Sequence, residues 1–265
     1  MSDSFAPGVG PLVDPTRWCS HYTSLETALE HILHTNTLRL SPLAVVNDPK
    51  ESGSTGWMGG SIPVSPDKLQ DYVALESEVD RLLRSRVKVL CMCLDANEHP
   101  QGLNRSHFKP RMWAQYGGRG RGVCLVLHRD RLASQLRSDE SSLPIVAAVK
   151  YTDHAQEMMI PPLSESDLLL TAEELARTRF QRFHDPLVFM KHLDWVSESE
   201  LRLACYSDKP GYQHVPIGDS IAAIVVGPDF PPIYRPIVEL EARKRGVPAL
   251  RLRWNASNTA YERWA

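Results

Sequence analysis

Long apolar runs are missing from this 265-residue sequence, and the most apolar stretches, such as Ile221–Gly227, fall far short of the ~20 residues that cross a bilayer. No membrane span is expected. Met1–Pro15 is acidic and rich in proline and glycine, with neither a basic start nor an apolar stretch, so no secretion leader is expected and a cytoplasmic location follows. Cysteine is scarce: the five residues are Cys19, Cys91, Cys93, Cys124 and Cys205, an odd number. Reduced, buried thiols are expected. Cys91 and Cys93 lack the second cysteine pair that a tetrahedral site needs, so no metal is expected. A surplus of one charge is lacking too, because the net charge is −2. General affinity for polyanions is therefore not expected. Signatures of common catalysts are missing as well: G-x-G-x-x-G after a strand, the Walker phosphate loop, H-E-x-x-H and G-x-S-x-G. Dehydrogenase, P-loop ATPase, zincin and α/β-hydrolase chemistry are disfavoured.

What is present reads as a globular chain, since 42% hydrophobic and 23% charged residues are enough apolar content to build a core. Residues 1–17 are expected to be a flexible tail and 18–265 a single α+β domain. Strands are expected at Trp18–Thr23, Thr37–Ser41, Val87–Leu94, Val123–His128, Ile145–Tyr151, Leu201–Tyr206, Ile221–Val226 and Ala249–Trp254. Helices are expected after Thr23, which with Glu26 forms a capping-box pattern, and over Asp67–Arg84, Pro110–Tyr116, Ala172–Phe183 and Ile233–Arg245. Pro186 should break or restart the chain's helical course before Leu193. Val45–Pro66 is a long loop rich in glycine, serine and proline, long enough to suggest a role in function. Strands slightly outnumber helices without alternating with them, which favours α+β over a doubly wound parallel sheet.

Four short groups carry candidate chemistry: His21-Tyr22-Thr23; Arg39-Leu40-Ser41 leading into Asn47-Asp48-Pro49-Lys50-Glu51; Met112-Trp113-Ala114-Gln115-Tyr116 with Gly122-Val123-Cys124; and Trp195-Val196-Ser197-Glu198-Ser199-Glu200-Leu201-Arg202. Their order and spacing resemble a widespread bacterial family of unknown function marked by NDP-x-E, MW-x-x-Y with G-x-C, and W-x-x-E-x-E-x-R. The likeness runs from about Trp18 to Arg253 and departs at Gln115, where a histidine is expected.

More distantly, the ordered His, aromatic and Glu resemble the His-Tyr-Glu pattern of ADP-ribosyltransferases. That resemblance implies a central mixed or antiparallel split sheet flanked by helices, and NAD as the substrate. It implies that His21 binds ribose, that Tyr116 or Trp113 stacks on nicotinamide, and that Glu200 is the catalytic carboxylate. Tyr22, Thr23, Arg39, Asn47 and Glu51 would complete the NAD site. A carboxylate suits the chemistry, because breaking the bond to nicotinamide develops oxocarbenium charge. In strand geometry Glu198 would share a face with Glu200, about 7 Å away along the chain, and could orient or deprotonate an acceptor, whether protein, nucleic acid or water. A toxin or phage-defence effector would fit such an activity.

Structural explanations exist for the same residues. On that reading His21 is a hydrogen-bonded strand residue, Thr23 a helix cap and Asn47-Asp48-Pro49 a turn. Trp113 and Tyr116, three apart, could both be core, and Glu198, Glu200 and Arg202 could form an exposed salt-bridge ladder. Two other functions remain open. From Gln101 to Arg137 there are eight basic residues (Arg105, Lys109, Arg111, Arg119, Arg121, Arg129, Arg131, Arg137) against Asp130, which suits a nucleic-acid- or nucleotide-binding module. A metal-independent nuclease using His21 and Glu200 needs the same residue types.

Overall fold

The computed structural model describes residues 18–47, 65–95, 106–136, 144–154, 157, 159–255 and 258–264. The expected tail at 1–17, and Asp48, Glu51, Arg105 and Arg137, lie outside the described residues.

Alternation of side chains builds the sheet. In β2 (Thr37–Pro42), Leu38 and Leu40 are buried while Arg39 faces the other way. β1 (Trp18–Thr23) is paired along its length with β4 (Val123–His128), and β4 with β10 (Ile221–Val226), both antiparallel. β10 runs parallel to β11 (Ala249–Asn255), which pairs antiparallel with β12 (Asn258–Arg263). On the other side lie β3 (Val87–Leu94), β2 and β9 (Gln213–Pro216), while β8 (Glu200–Tyr206) pairs with β3 and β5 (Ile145–Ala148). Among the described residues this makes one mixed, open, ten-stranded sheet in a single domain, with a separate parallel pair, β6 (Lys150–Thr152) and β7 (Met190–His192).

The sheet parts at β3. On one edge β8 covers β3 from Val87 to Cys93. On the other edge β1 meets only its end, at Cys93 and Leu94, and β2 only its start, at Lys88 and Val89. The backbone between, around Cys91, faces a gap where β1 and β2 diverge. Helices fill both faces. Leu90, Met92, Leu201 and Leu203 pack with Ile32, Leu33 and Val238, whereas Val87, Val89, Ala204 and Tyr206 pack with Leu83, Ala176 and Phe180. Helix Ala172–His184 starts at a full capping box, with Thr171 and Glu174 each satisfying the other's backbone N–H.

Several expectations shift. Ser24, not Thr23, caps the first helix: its Oγ accepts from Thr27 N–H at 3.2 Å, because Thr23 is still paired with Val123 in β1. That helix is π-wound over Thr27–Ile32. The expected strand Ile145–Tyr151 is two, β5 and β6, because Val149 N–H makes the last bond to β8, at Glu200 O, and from Lys150 the chain pairs with β7. The expected restart at Pro186 is found: the helix kinks at Phe183, ends at His184 and resumes as π-wound turns over Asp185–Phe189 with Pro186 in the first turn.

Candidate active site

The gap in the sheet opens into a cavity of about 310 Å³. Its walls come from β1 (His21, Tyr22), β2 (Arg39, Ser41), residues 45–47, β3 (Val89 to Cys93), the short helix Pro110–Gln115 with Tyr116, Lys191 on β7, and Glu198, Glu200 and Arg202. His21, Tyr116, Glu198 and Glu200, distant in sequence, thus meet around one space. Tyr22, Arg39 and Asn47 line it too. Thr23 does not, and neither does Trp113.

Trp113 is fully buried in the core, so it offers no ring to a ligand. Its Nε1–H donates to His107 O at 2.9 Å, and it meets Tyr22 edge to face at 5.1 Å. The G-x-C motif beside it is also architectural. A Cβ on Gly122 would fall 2.2 Å from Thr23 O, so only glycine lets β4 start this close to β1, and Cys124 is buried opposite Tyr22.

His21 bridges the parted strands, with Nδ1 3.0 Å from Cys91 O. A carbonyl only accepts, so Nδ1 carries the hydrogen and Nε2 keeps its lone pair. Burial lowers the His21 pKa below its ordinary 6.5, although the bond to Cys91 O acts the other way. The ring is therefore a neutral donor on one side and an acceptor on the other at pH 7.

On the opposite wall sits a buried ionic cluster. Arg202 grips Glu200 with a two-pronged contact, Nε to Oε1 at 2.8 Å and Nη2 to Oε2 at 2.9 Å, and its Nη1 donates to Val188 O at 2.8 Å. Lys191 Nζ lies 3.4 Å from Glu200 Oε2 and 2.8 Å from Glu198 Oε2. Tyr116 donates its hydroxyl proton to Glu198 Oε1 at 3.0 Å. Burial, then the Glu198 carboxylate, push the Tyr116 phenol up, which keeps it a donor. Burial works to raise the Glu200 pKa, but Arg202 and then Lys191 outweigh it, and the carboxyl is held below its usual range. Two carboxylates thus balance two cations, all at most 5% exposed, which removes the expectation of an exposed ladder. The expected strand alternation of the two acids also fails. Glu198 ends the turn Leu193–Glu198, and Ser199 is left-handed (φ 47°), so Glu198 reaches the cavity from a turn and Glu200 from β8.

The basic segment is partly spent on fastening that turn. Lys109 Nζ donates to Glu198 O at 2.8 Å and to Ser197 O at 3.2 Å, and Arg111 Nη1 donates to Ser197 Oγ at 2.9 Å. Arg131 instead pairs with Asp219. Sequence reasoning missed Lys191, whose signal was a lone cation closing the apolar run Leu187–Met190. It also expected every thiol to be buried, yet Cys91 is exposed, because its strand lacks a neighbour at the gap. Among the described residues no group of three or more His, Cys, Asp or Glu could hold a metal ion, and no helix is long and apolar enough to cross a membrane.

No curated protein and no solved structure matches the chain. The family model that does match covers Met112 to Leu203, which contains the MW-x-x-Y, G-x-C and W-x-x-E-x-E-x-R groups but leaves out His21, Arg39 and the NDP-x-E group. Residues 112–203, carrying Tyr116, Lys191, Glu198, Glu200 and Arg202, match the model of DUF2971, a family of proteins of unknown function.

Proposed function

We propose that the protein is an enzyme that cleaves NAD, as an ADP-ribosyltransferase or NAD glycohydrolase. The observation that carries this is the meeting of His21, Tyr116 and the Glu198/Glu200 pair, from separate parts of the chain, around one cavity. A volume of about 310 Å³ is at the lower end of ordinary ligand pockets. Val45, Val46, Val89 and Met112 give it an apolar side suited to a flat ring, with Tyr116 beside them. His21 Nε2 is placed to accept from a ribose hydroxyl, and exposed Arg39 suits the phosphates. A carboxylate facing C1′ would stabilise positive charge as the bond to nicotinamide lengthens. The parted sheet with its cavity at the gap supports an ADP-ribosyltransferase-like arrangement. Action in the cytoplasm as a toxin or phage-defence effector is in keeping with such chemistry.

The test is to incubate purified full-length protein with NAD, alone and with candidate protein and nucleic-acid acceptors, and to follow free nicotinamide by chromatography. Release by the wild type and its loss in the Glu198→Gln/Glu200→Gln double variant is the expected result. Wild type that releases no nicotinamide under any of these conditions, or a double variant as active as wild type, overturns the proposal.

A further inference from the structure

We infer that Glu198, rather than Glu200, is the carboxylate that engages the ribose, and that Glu200 with Arg202 is a clamp that positions Lys191 and Glu198; this rests on the NAD-cleaving function proposed above. The two acids differ in what a substrate would have to displace. Both oxygens of Glu200 are taken by the Arg202 guanidinium, at 2.8 and 2.9 Å, with Lys191 at 3.4 Å on the second. Arg202 is 1% exposed and is held further by Val188 O, so its guanidinium is fixed in the place where it grips Glu200. Pulling Glu200 towards a ligand would break a two-pronged, charge-assisted contact to a buried cation.

Glu198 is held differently. Its Oε1 accepts from the neutral Tyr116 hydroxyl at 3.0 Å, and Tyr116 itself lines the cavity and is only half-buried. A ribose hydroxyl can replace that phenol one neutral donor for another, leaving Lys191 on Oε2 at 2.8 Å undisturbed. Lys191 spans both acids, and so the Arg202–Glu200 fork fixes the ammonium that in turn fixes Glu198.

In the step itself the C1′–N bond breaks and its electron pair leaves with neutral nicotinamide. The positive charge passes to the ribose as an oxocarbenium ion facing the Glu198 carboxylate. Water or an acceptor hydroxyl then bonds to C1′ through an oxygen lone pair and gives up its proton, by way of Glu198, to solvent. NAD and water thereby yield ADP-ribose, nicotinamide and a proton.

The experiment compares full-length wild type, Glu198→Gln, Glu200→Gln and the Glu200→Leu/Arg202→Met double variant. For each, the NAD dissociation constant, kcat and KM for nicotinamide release and the thermal midpoint are measured. Glu198→Gln is expected to lower kcat by about a hundredfold or more with NAD affinity little changed, the mark of an interaction made in the transition state; its thermal midpoint falls with the loss of the buried pair to Lys191 and is read to show that the variant is folded at the assay temperature. The Leu/Met double replaces both buried charges with apolar groups and should lower kcat by less than about tenfold. If that double fails to fold, Glu200→Gln, which keeps the shape of the side chain and one acceptor oxygen, is read in its place. A folded Glu200 variant that loses as much kcat as Glu198→Gln, or a Glu198→Gln enzyme that keeps its kcat, overturns the assignment while NAD cleavage stands. Wild type that neither binds nor cleaves NAD overturns the proposed function itself, and the assignment with it.

Discussion

The two walls of the cavity are built on opposite principles. The wall formed by β7, the turn before β8 and β8 itself is charged and closed: Lys191, Glu198, Glu200 and Arg202 are each at most 5% exposed and satisfy one another. The wall formed by β1, β2 and residues 45–47 is open. Arg39 and Asn47 are exposed there, and half-buried His21 uses one nitrogen on the chain and keeps the other. Charges that are locked to each other cannot be reoriented by a ligand, but they cost nothing further to hold in place when it arrives. The open wall has capacity to bind, and the closed wall has the fixed field.

Substitutions can break or sharpen that contrast. The largest effect is expected from Arg202→Met, which leaves Glu200 buried without its fork and should cost about 3–5 kcal/mol in urea denaturation. Arg39→Met, on the open wall, loses mainly its stacking 4.2 Å over the Tyr212 ring and should cost about 1 kcal/mol or less. Equal losses at the two arginines would erase the distinction. A smaller effect is expected from Tyr116→Phe: Glu198 keeps Lys191 but loses its hydroxyl donor, at about 1.5–3 kcal/mol by the same measurement. If the melting behaviour of that variant is unchanged, the hydroxyl is not holding the acid.

A pH-dependent effect concerns His21. Its lowered pKa means that the folded state favours the neutral ring, so this stability is complete above the ordinary value of 6.5 and is lost as pH falls through 6.5 towards the folded value. One proton limits the slope to about 1.4 kcal/mol per pH unit. Over pH of about 8 to about 5 the wild type should therefore lose stability more steeply than His21→Gln, whose amide can still donate to Cys91 O. Parallel pH curves would place the ring in water, outside the wall.

Much of this architecture was legible in the sequence, and the limits have physical causes. Apolar runs such as Val123–His128 and the β-branched Val87–Leu94 announce their strands, and Pro110 shows the start of a helix. Short elements were missed: the edge strand Gln213–Pro216 and the strand Asn258–Arg263 are too brief or too polar for a periodic signal, and the helix Arg129–Leu136 begins directly at the end of β4. Pairing order was beyond reach, since nothing local in Lys88 or Leu94 tells which strand will lie beside it. The site was half legible. W-x-x-E-x-E-x-R placed two acids and a base together, but the left-handed Ser199 overrides the alternation that the spacing implies, and Lys191 joins them only through tertiary packing. Trp113 went the other way, because its spacing from Tyr116 is helical but its burial is complete.

The parting of the strands at Cys91 is a property of main chain, bridged by the His21 imidazole. Enlarging or shrinking Val45, Val89 or Met112 therefore reshapes the room without removing it. A frame of that kind lets the occupant change through a few lining substitutions while the doorway, set by where β1 and β2 part company, stays where it is.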